Sequence, residues 1–511
     1  MPPRLLIVSF SVCPAPDRHG VGLLNVLKAL AGRYAVDVLT LRPAQPGSVE
    51  LPVVERFMKT RMLRVPVGHG TLGEKLEVFR RAIRRQLEGE EYDVVHVRSA
   101  WGARAVLAGV QPPTKVVYEI ARSTEGEPRA ADAQLAAALA EEESELVARA
   151  DLVLVPTETA RRHLVEARQK SQRQPKPTGS ILTLPPGVDV DHFDWEPIAE
   201  EDAAGRVLYG GRIGAGRGVR LLLSAIELLR RQRPVKLVLA GPVEEGFRPI
   251  LDEALAQTGL APDVELCGAI DHDDMPRVIA GAEVCVAPAS PDAADRPLAG
   301  FPTKILEYMA CRRAVVAPRR PSVMEVLSDG AEGLLFEPGA PAELARAIGR
   351  LLDDAPLRER LAEAGYHRVR LEHPASATRR ALLEAYLALL PRAAWAPPGR
   401  ASPTIDALPS HPDTTTARRA VPWLDPAGDP DGRARGERSG EIVIPEAATV
   451  EIPVIPGEIV IEALDFASAG EAFDAQMDDT TTSPLLLPPP PDSDDDDERT
   501  SPALRPHRPS R

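Results

Sequence analysis

Cysteine is scarce and scattered. The four in 511 residues (Cys13, Cys267, Cys285 and Cys311) include no CxxC pair. That argues against a disulfide framework or a zinc site and fits a reducing compartment. No apolar run approaches the roughly 18 residues of a membrane span. The first apolar run, Leu5 to Val12, follows a single Arg and lacks a small-residue cleavage pattern. It reads as a first strand and not as a signal peptide. A basic surface is missing as well. The net charge is −14, yet Glu441 to Glu498 holds sixteen acids and no Lys or Arg, so −14 minus −16 leaves +2 elsewhere. The body is near neutral, and nothing suggests a nucleic-acid binder. Lysine is rare, with eight residues, so a lysine at a helix start carries more information than it would in a lysine-rich chain.

What is present is length, ordinary hydrophobicity (44%) and alternation. The chain is long enough for two or three domains with full cores. Residues 4–11 read as a strand. A loop with Gly20 and Gly22 follows, then a helix from about Leu23 to Ala31 and a strand from Ala35 to Leu41. This is a βαβ opening, although two glycines also suit a plain tight turn. Glu74 to Leu87 reads as a helix whose Leu76, Phe79, Ile83 and Leu87 share a core face. Arg80, Arg81, Arg84 and Arg85 lie away from that face, either solvated or facing a membrane surface. Strands at Asp93 to Val97, Lys115 to Ile120, Leu152 to Val155 and Ile181 to Leu184 continue the pattern, with a helix from about Ala130 to Ala150. From Gly205 the pattern restarts, with strands at Val207 to Tyr209, Lys236 to Ala240, Val264 to Leu266, Glu283 to Ala287, Ala314 to Ala317 and Leu334 to Phe336. Helices follow as far as Leu390. The expected fold class is α/β: two Rossmann-like domains in series, facing a central cleft. The domains are 1–198 and 199–370, then helices over 371–395 that could pack back on the first domain. Residues 396–511 form a Pro/Asp-rich acidic tail with the composition of disorder. Three β-prone islands in it (EIVIP, EIPVIP, EIVIEAL) leave open a protein partner for the tail or an uninformative linker.

Two stretches carry chemistry. Phe301 to Ala310 (FPTKILEYMA) reads as a helix with Pro302 at its first position and Thr303 and Lys304 in its first turn. A cation there opposes the helix dipole unless an anion is bound. Glu307 lies one turn on. The stretch is either a site for a phosphorylated, hydroxyl-rich ligand or a buried helix with solvated charges. Tyr209 to Gly218 (YGGRIGAGRG) is the second. Its glycines, Gly211 among them, let a backbone approach a ligand, and Arg212 and Arg217 can grip phosphate bidentately. The bland alternative is a βα turn with surface arginines, and the scarce Lys304 tips the balance.

In this order the stretches resemble the family 4 glycosyltransferases of GT-B architecture, over about 390 residues. GGRIGAGRG resembles the family's GRL…KG loop, FPTKILEYMACRRAVVAP its FG…EAMA.G.PVV segment, and PPGVDVDHF its PNGVD…F linker. LVLAGP, VELCGAI, GAEVCVAPAS, YDVVHVRS and ADLVLVPTE resemble its strands. The resemblance implies a nucleotide-diphospho-sugar donor on the second domain. Arg212 and Arg217 would hold the diphosphate with Lys304, Glu307 the ribose hydroxyls, and Phe301, Pro302 and Thr303 the phosphates or sugar. Gly20 and Gly22 would close the cleft from the first domain, where a glycan or lipid-linked acceptor enters. It further implies retention of anomeric configuration, no metal and no cofactor. Polysaccharide or glycolipid synthesis in the cytoplasm, with a candidate peripheral membrane contact, follows by family analogy.

Three departures matter. The family often has two glutamates eight apart; Glu307 matches the second, and Ala299 stands at the first. Arg217 replaces the usual loop lysine. The first-domain histidine has Ala121 or Arg122 in its place, which leaves His96 on the preceding strand as a cleft candidate or a structural histidine. Asp189 and Asp191 mimic a metal-binding DxD but fall in the linker match. Asp271 to Asp274 read as an N-cap with first-turn acids. The alternatives are a GT-B nucleotide-sugar epimerase, which would need further cleft carboxylates and histidines, and a catalytically weakened GT-B scaffold.

Overall fold

The computed structural model describes residues 2–12, 18–30, 32–42, 60–67, 70–120, 133–170, 179–195, 203–288 and 301–390. The expectations for Ala121, Arg122, Ala299 and the 396–511 tail fall outside the described residues.

The two parallel sheets expected from the sequence are present. The first has β1 (Arg4–Val12), β2 (Ala35–Leu41), β3 (Thr60–Val65), β4 (Val94–Arg98), β5 (Lys115–Glu119), β6 (Leu152–Val155) and β7 (Ser180–Thr183), in the order 3-2-1-4-5-6-7. The helices here are α1 (Arg18–Leu30), α2 (Leu72–Gly89), α3 (Ala103–Gly109), α4 (Ala133–Arg149) and α5 (Glu158–Lys170). The second sheet has β8 (Arg206–Gly210), β9 (Lys236–Ala240), β10 (Val264–Gly268), β11 (Val284–Val286), β12 (Ala314–Pro318) and β13 (Gly333–Phe336), in the order 10-9-8-11-12-13. With it go α6 (Val219–Arg230), α7 (Arg248–Thr258), α8 (Met275–Ala280), α9 (Thr303–Ala310), α10 (Pro321–Met324), α11 (Pro341–Asp353) and α12 (Ala355–Glu372). The central strands are near-continuous apolar runs because helices cover both of their faces. Two apolar clusters flank each sheet. Each sheet reverses strand order once, at β1/β4 and at β8/β11, and ligands of such sheets bind at the carboxyl ends beside that reversal.

The chain crosses between the domains twice. The first crossing follows β7. The second leads from α12 into α13 (Ala375–Leu389), whose Leu382 and Tyr386 pack with Leu5 and Ile7 of β1 and Leu23 of α1. The crossings lie side by side. Val188 N–H donates to His373 O (2.9 Å), and Ala375 N–H donates to Val188 O (2.8 Å). A Cβ on Gly187 would sit 2.6 Å from Ala375 Cα, so only glycine allows this approach.

Several local readings change. Strand β3 was not expected. Helix α1 begins at Arg18, so Gly20 and Gly22 lie in its opening turns and not in a loop. Arg80 is not solvated: it is buried against Glu142 (2.5 Å) and Glu77 (2.7 Å). Pro302 is the N-cap of α9, and Asp274 at the start of α8 makes no side-chain cap. Among the described residues no helix is long and apolar enough to cross a membrane.

Candidate active site

The second-domain cluster is built around Tyr209. This side chain comes one residue before the end of β8, where the inward-facing position buries it almost completely. Its hydroxyl donates to Arg212 O (2.8 Å) and fixes the glycine loop that follows. Burial pushes its pKa up to about 12 against the pull of Arg217, so it stays a neutral donor. Lys304 Nζ lies 4.1 Å from the centre of the Tyr209 ring, a cation–π arrangement. A Cβ on Gly211 would meet that ammonium at 3.0 Å. Lys304 and Gly211 therefore meet at one aromatic ring, and the loop that leaves it carries Arg212 and Arg217, both exposed.

Helix α9 is fastened to this loop. Tyr308 is fully buried, and its hydroxyl accepts from Gly210 N–H (2.8 Å). The turn after β9 presses on the loop from the other side. Gly241 has φ +156°, and a Cβ there would lie 2.1 Å from Gly211 O. Ile213 N–H donates to Pro242 O (2.9 Å). Glu307 is half-buried on α9, three residues past Lys304. Phe301 is buried and Thr303 half-buried where the helix begins. The frame sets Lys304, in the first turn of α9, beside the loop that carries Arg212 and Arg217, at the carboxyl end of the sheet. Such an arrangement stabilises an anion.

A cavity of about 120 Å3 joins the domains next to this start of α9. Gly22, Asn25 and Val26 of α1, Arg98, Glu119, the ends of β6 and β7, the first crossing, Phe301, Thr303 and Leu382 line it. A Cβ on Gly22, which lines this wall, would press to 2.9 Å on the Arg98 guanidinium. His96 does not reach the cavity. It is fully buried behind Glu119, because it sits two residues before the end of β4 and faces the terminal helix. Among the described residues no group of three His, Cys, Asp or Glu could hold a metal ion.

The domains also meet through one carboxylate. Glu325, just after α10, accepts Glu158 N–H (2.8 Å), Thr159 N–H (2.8 Å) and the Thr159 hydroxyl (2.6 Å). It caps α5 from the opposite domain. Tyr209, Arg98, Glu119 and Glu325 were not foreseen. Tyr209 and the Arg98–Glu119 pair had a signal: an aromatic before a glycine loop, and charges ending otherwise apolar parallel strands.

Two family models match this chain. The one described as "Glycosyl transferase 4-like domain" covers residues 19–174 and "Glycosyl transferases group 1" covers residues 204–354, more than half of the chain between them. The chain belongs to the family 4 glycosyltransferases. This glycosyltransferase is 26% identical over 404 residues to the D-inositol 3-phosphate glycosyltransferase of Nocardiopsis dassonvillei, covering 71% of this chain and 90% of that one. It is 37% identical over 158 residues to the alpha-D-kanosaminyltransferase of Streptomyces kanamyceticus, but that match spans 31% of this chain and 39% of the relative. Its fold is similar to that of sucrose-phosphate synthase from Thermosynechococcus elongatus (TM-score 0.63, 20% identity, 76% of this chain and 99% of that one). It is also similar to that of Anabaena HepE in complex with UDP and glucose (TM-score 0.58, 18% identity, 75% and 99%). At these identities the two solved structures speak to the fold, the GT-B arrangement of two facing Rossmann-like domains.

Proposed function

We propose that this glycosyltransferase moves a sugar from a nucleoside diphosphate donor, held by the second domain, to an acceptor that enters from the first. The observation that carries this reading is the Lys304 ammonium, at the start of α9, set against Tyr209 and Gly211 of the loop that bears Arg212 and Arg217. Breaking a sugar–phosphate bond leaves growing negative charge on the departing diphosphate. Two guanidiniums, an ammonium and a helix N-terminus stabilise that charge as it develops, without a metal. Glu307, one turn into α9, takes the ribose hydroxyls. Attack from the leaving-group face retains the anomeric configuration. The UDP bound to the similarly folded HepE supports a nucleotide donor. The inositol phosphate in the name of the longest-matching relative mentioned above supports a small polar acceptor. The setting we propose is cytoplasmic, in surface polysaccharide or glycolipid synthesis, with exposed Arg81 and Arg85 of α2 available to an anionic membrane surface.

The test uses purified full-length protein with UDP-, GDP- and ADP-sugars, following donor hydrolysis and transfer. Arg212→Ala and Lys304→Ala should each lower kcat roughly 100-fold or more, and Glu307→Ala should mainly raise KM for the donor. The anomeric configuration of the product, read by NMR, tests retention. Donor binding with no turnover on a broad acceptor panel would refute the catalytic reading and favour a scaffold.

A further inference from the structure

The cavity between the domains has a charged floor that the donor reading does not use. Arg98 ends β4, Glu119 ends β5, and the two are register partners. Arg98 Nε donates to Glu119 Oε2 (2.9 Å) and Nη2 to Oε1 (3.0 Å). Behind them His96 Nε2 lies 3.1 Å from Glu119 Oε2, and Tyr386 Oη lies 2.7 Å from His96 Nδ1. Burial lowers the His96 pKa and raises that of Tyr386. The imidazole is therefore neutral: Tyr386 donates to Nδ1, and the proton sits on Nε2, close to the carboxylate but off hydrogen-bond geometry. Arg98 and His96 hold Glu119 below the usual carboxylate range. Ser99, next in the chain, has φ +96° and ψ 156°, a region that residues with side chains rarely enter. Gly22 leaves the space that the guanidinium fills.

A purely structural ion pair does not need to face a cavity. This one does: the Glu119 side chain keeps 17% exposure, and both residues line the cavity. The opposite walls are Val26, Leu154, Leu184 and Phe301. A cavity of about 150 Å3 accepts benzene, so about 120 Å3 suits one six-membered ring with part of it left outside. Two arginines, Arg98 and Arg379, line the cavity with one carboxylate, and Arg379 Nη1 also donates to Asn25 Oδ1 (3.3 Å), so the lining offers donors and an acceptor together and not cations alone. Hydroxyl groups match both, donating to Glu119 and accepting from Arg98, while the C–H face of a ring meets the apolar walls. Thr303, on the rim, immediately precedes Lys304, so a ring here lies next to the proposed diphosphate.

We propose that Arg98 and Glu119 read the hydroxyls of a single sugar or cyclitol ring at the junction of the domains, with His96 and Tyr386 as positioning residues. The ring is the donor's or the acceptor's; only this choice rests on the donor reading above.

The experiment is calorimetry on the full chain with UDP, GDP, UDP-glucose and GDP-mannose, and with glucose, mannose and myo-inositol in the presence and absence of UDP. Glu119→Gln and Arg98→Lys should leave UDP or GDP affinity unchanged and weaken the ring-bearing ligand roughly ten- to a hundredfold. Weakened nucleotide-sugar binding assigns the donor ring, and weakened free sugar or cyclitol binding assigns the acceptor ring. Leu184→Phe fills the cavity without touching the charges and should weaken the same ligand, which keeps the test open if a charge variant misfolds. Tyr386→Phe should give a smaller loss of ring affinity at unchanged nucleotide affinity, whereas a merely structural role would lower Tm and move neither. Ring binding that Glu119→Gln abolishes in a protein that binds no nucleotide overturns the donor reading and upholds this one. Folded variants that bind every ring as the unmodified protein does, or an unmodified protein that binds none, overturn it.

Discussion

Replacing Glu325 by alanine tests how the two domains are held. The carboxylate accepts the first two N–H groups of α5 and the Thr159 hydroxyl, all from the other domain. Hydrogen bonds to a charged group contribute about 1.5–3 kcal/mol each when they cannot be replaced. This site is part-buried, so water takes over some of that in the variant. Loss of an anion at a helix N-terminus adds about 0.3–1 kcal/mol. A net local loss of about 2 kcal/mol follows, equivalent to roughly thirtyfold in an opening equilibrium. Hydrogen exchange reads it directly: the amides of Glu158 and Thr159 should exchange about thirtyfold faster in Glu325→Ala. The third donor of the helix, Ala160 N–H, is held by Thr157 Oγ1 of its own domain (3.1 Å) and should change much less. Glu325→Gln keeps one acceptor oxygen, replaces the other with an NH2 donor and removes the charge, so one of the two amides should keep part of its protection and the variant should fall between the unmodified protein and Glu325→Ala. Unchanged exchange at Glu158 and Thr159 in the alanine variant would refute the reasoning.

Other perturbations follow from the same geometry. Gly241→Ala places a Cβ on Gly211 O at a backbone angle that side chains rarely adopt; it should destabilise by about 2–3 kcal/mol in urea unfolding and weaken UDP binding in calorimetry. Tyr209→Phe removes the hydrogen bond to Arg212 O, with an expected loss of about 1 kcal/mol and a several-fold lower kcat/KM, read by steady-state kinetics. Burial lowers the pKa of both His96 and His373, so each contributes stability above the ordinary histidine value that is lost as pH falls through it, because the unfolded chain then binds more protons. Urea midpoints should therefore drop between pH 7.5 and 5.5, and His96→Gln should flatten that slope.

The sheets were legible because a parallel strand covered on both faces must be apolar throughout, as Leu152 to Val155 is. Helix α9 and its loop were legible because Lys304 and the glycines are unusual where they stand. Strand β3 was not: TRMLRV puts arginines at two of six positions, as a partly exposed edge strand tolerates. The reading of His96 as a cleft candidate fails because strand position alone does not say which helix will cover a residue, and the helix that covers this one comes 290 residues later. Arg80 has a similar history. At about 100° per residue it lies roughly 40° from Leu76, on the edge of the apolar stripe, and α4 supplies Glu142 to pair with it there. Contacts between distant polar groups leave no periodicity to read.

The two crossings and the Glu325 cap constrain how the cleft can open. The crossings are joined by two backbone hydrogen bonds and a glycine contact, so a rotation of one domain against the other has to carry both together. Glu325 spans the cleft and must release α5 when the domains separate. A ligand that touches only the second domain gains nothing from the cap, because its contacts are the same in both arrangements. A ligand that touches both domains is favoured by whatever stabilises the closed arrangement, and coupling of this kind is reciprocal. UDP, on the proposal that Arg212 and Lys304 hold it, belongs to the first class. A nucleotide sugar whose ring reaches Glu119 belongs to the second. Glu325→Ala should therefore weaken binding of the nucleotide sugar several-fold in calorimetry and leave UDP unchanged. Equal weakening of both ligands would mean that the cap supports the donor loop itself, and no weakening of either would mean that closure is not part of binding.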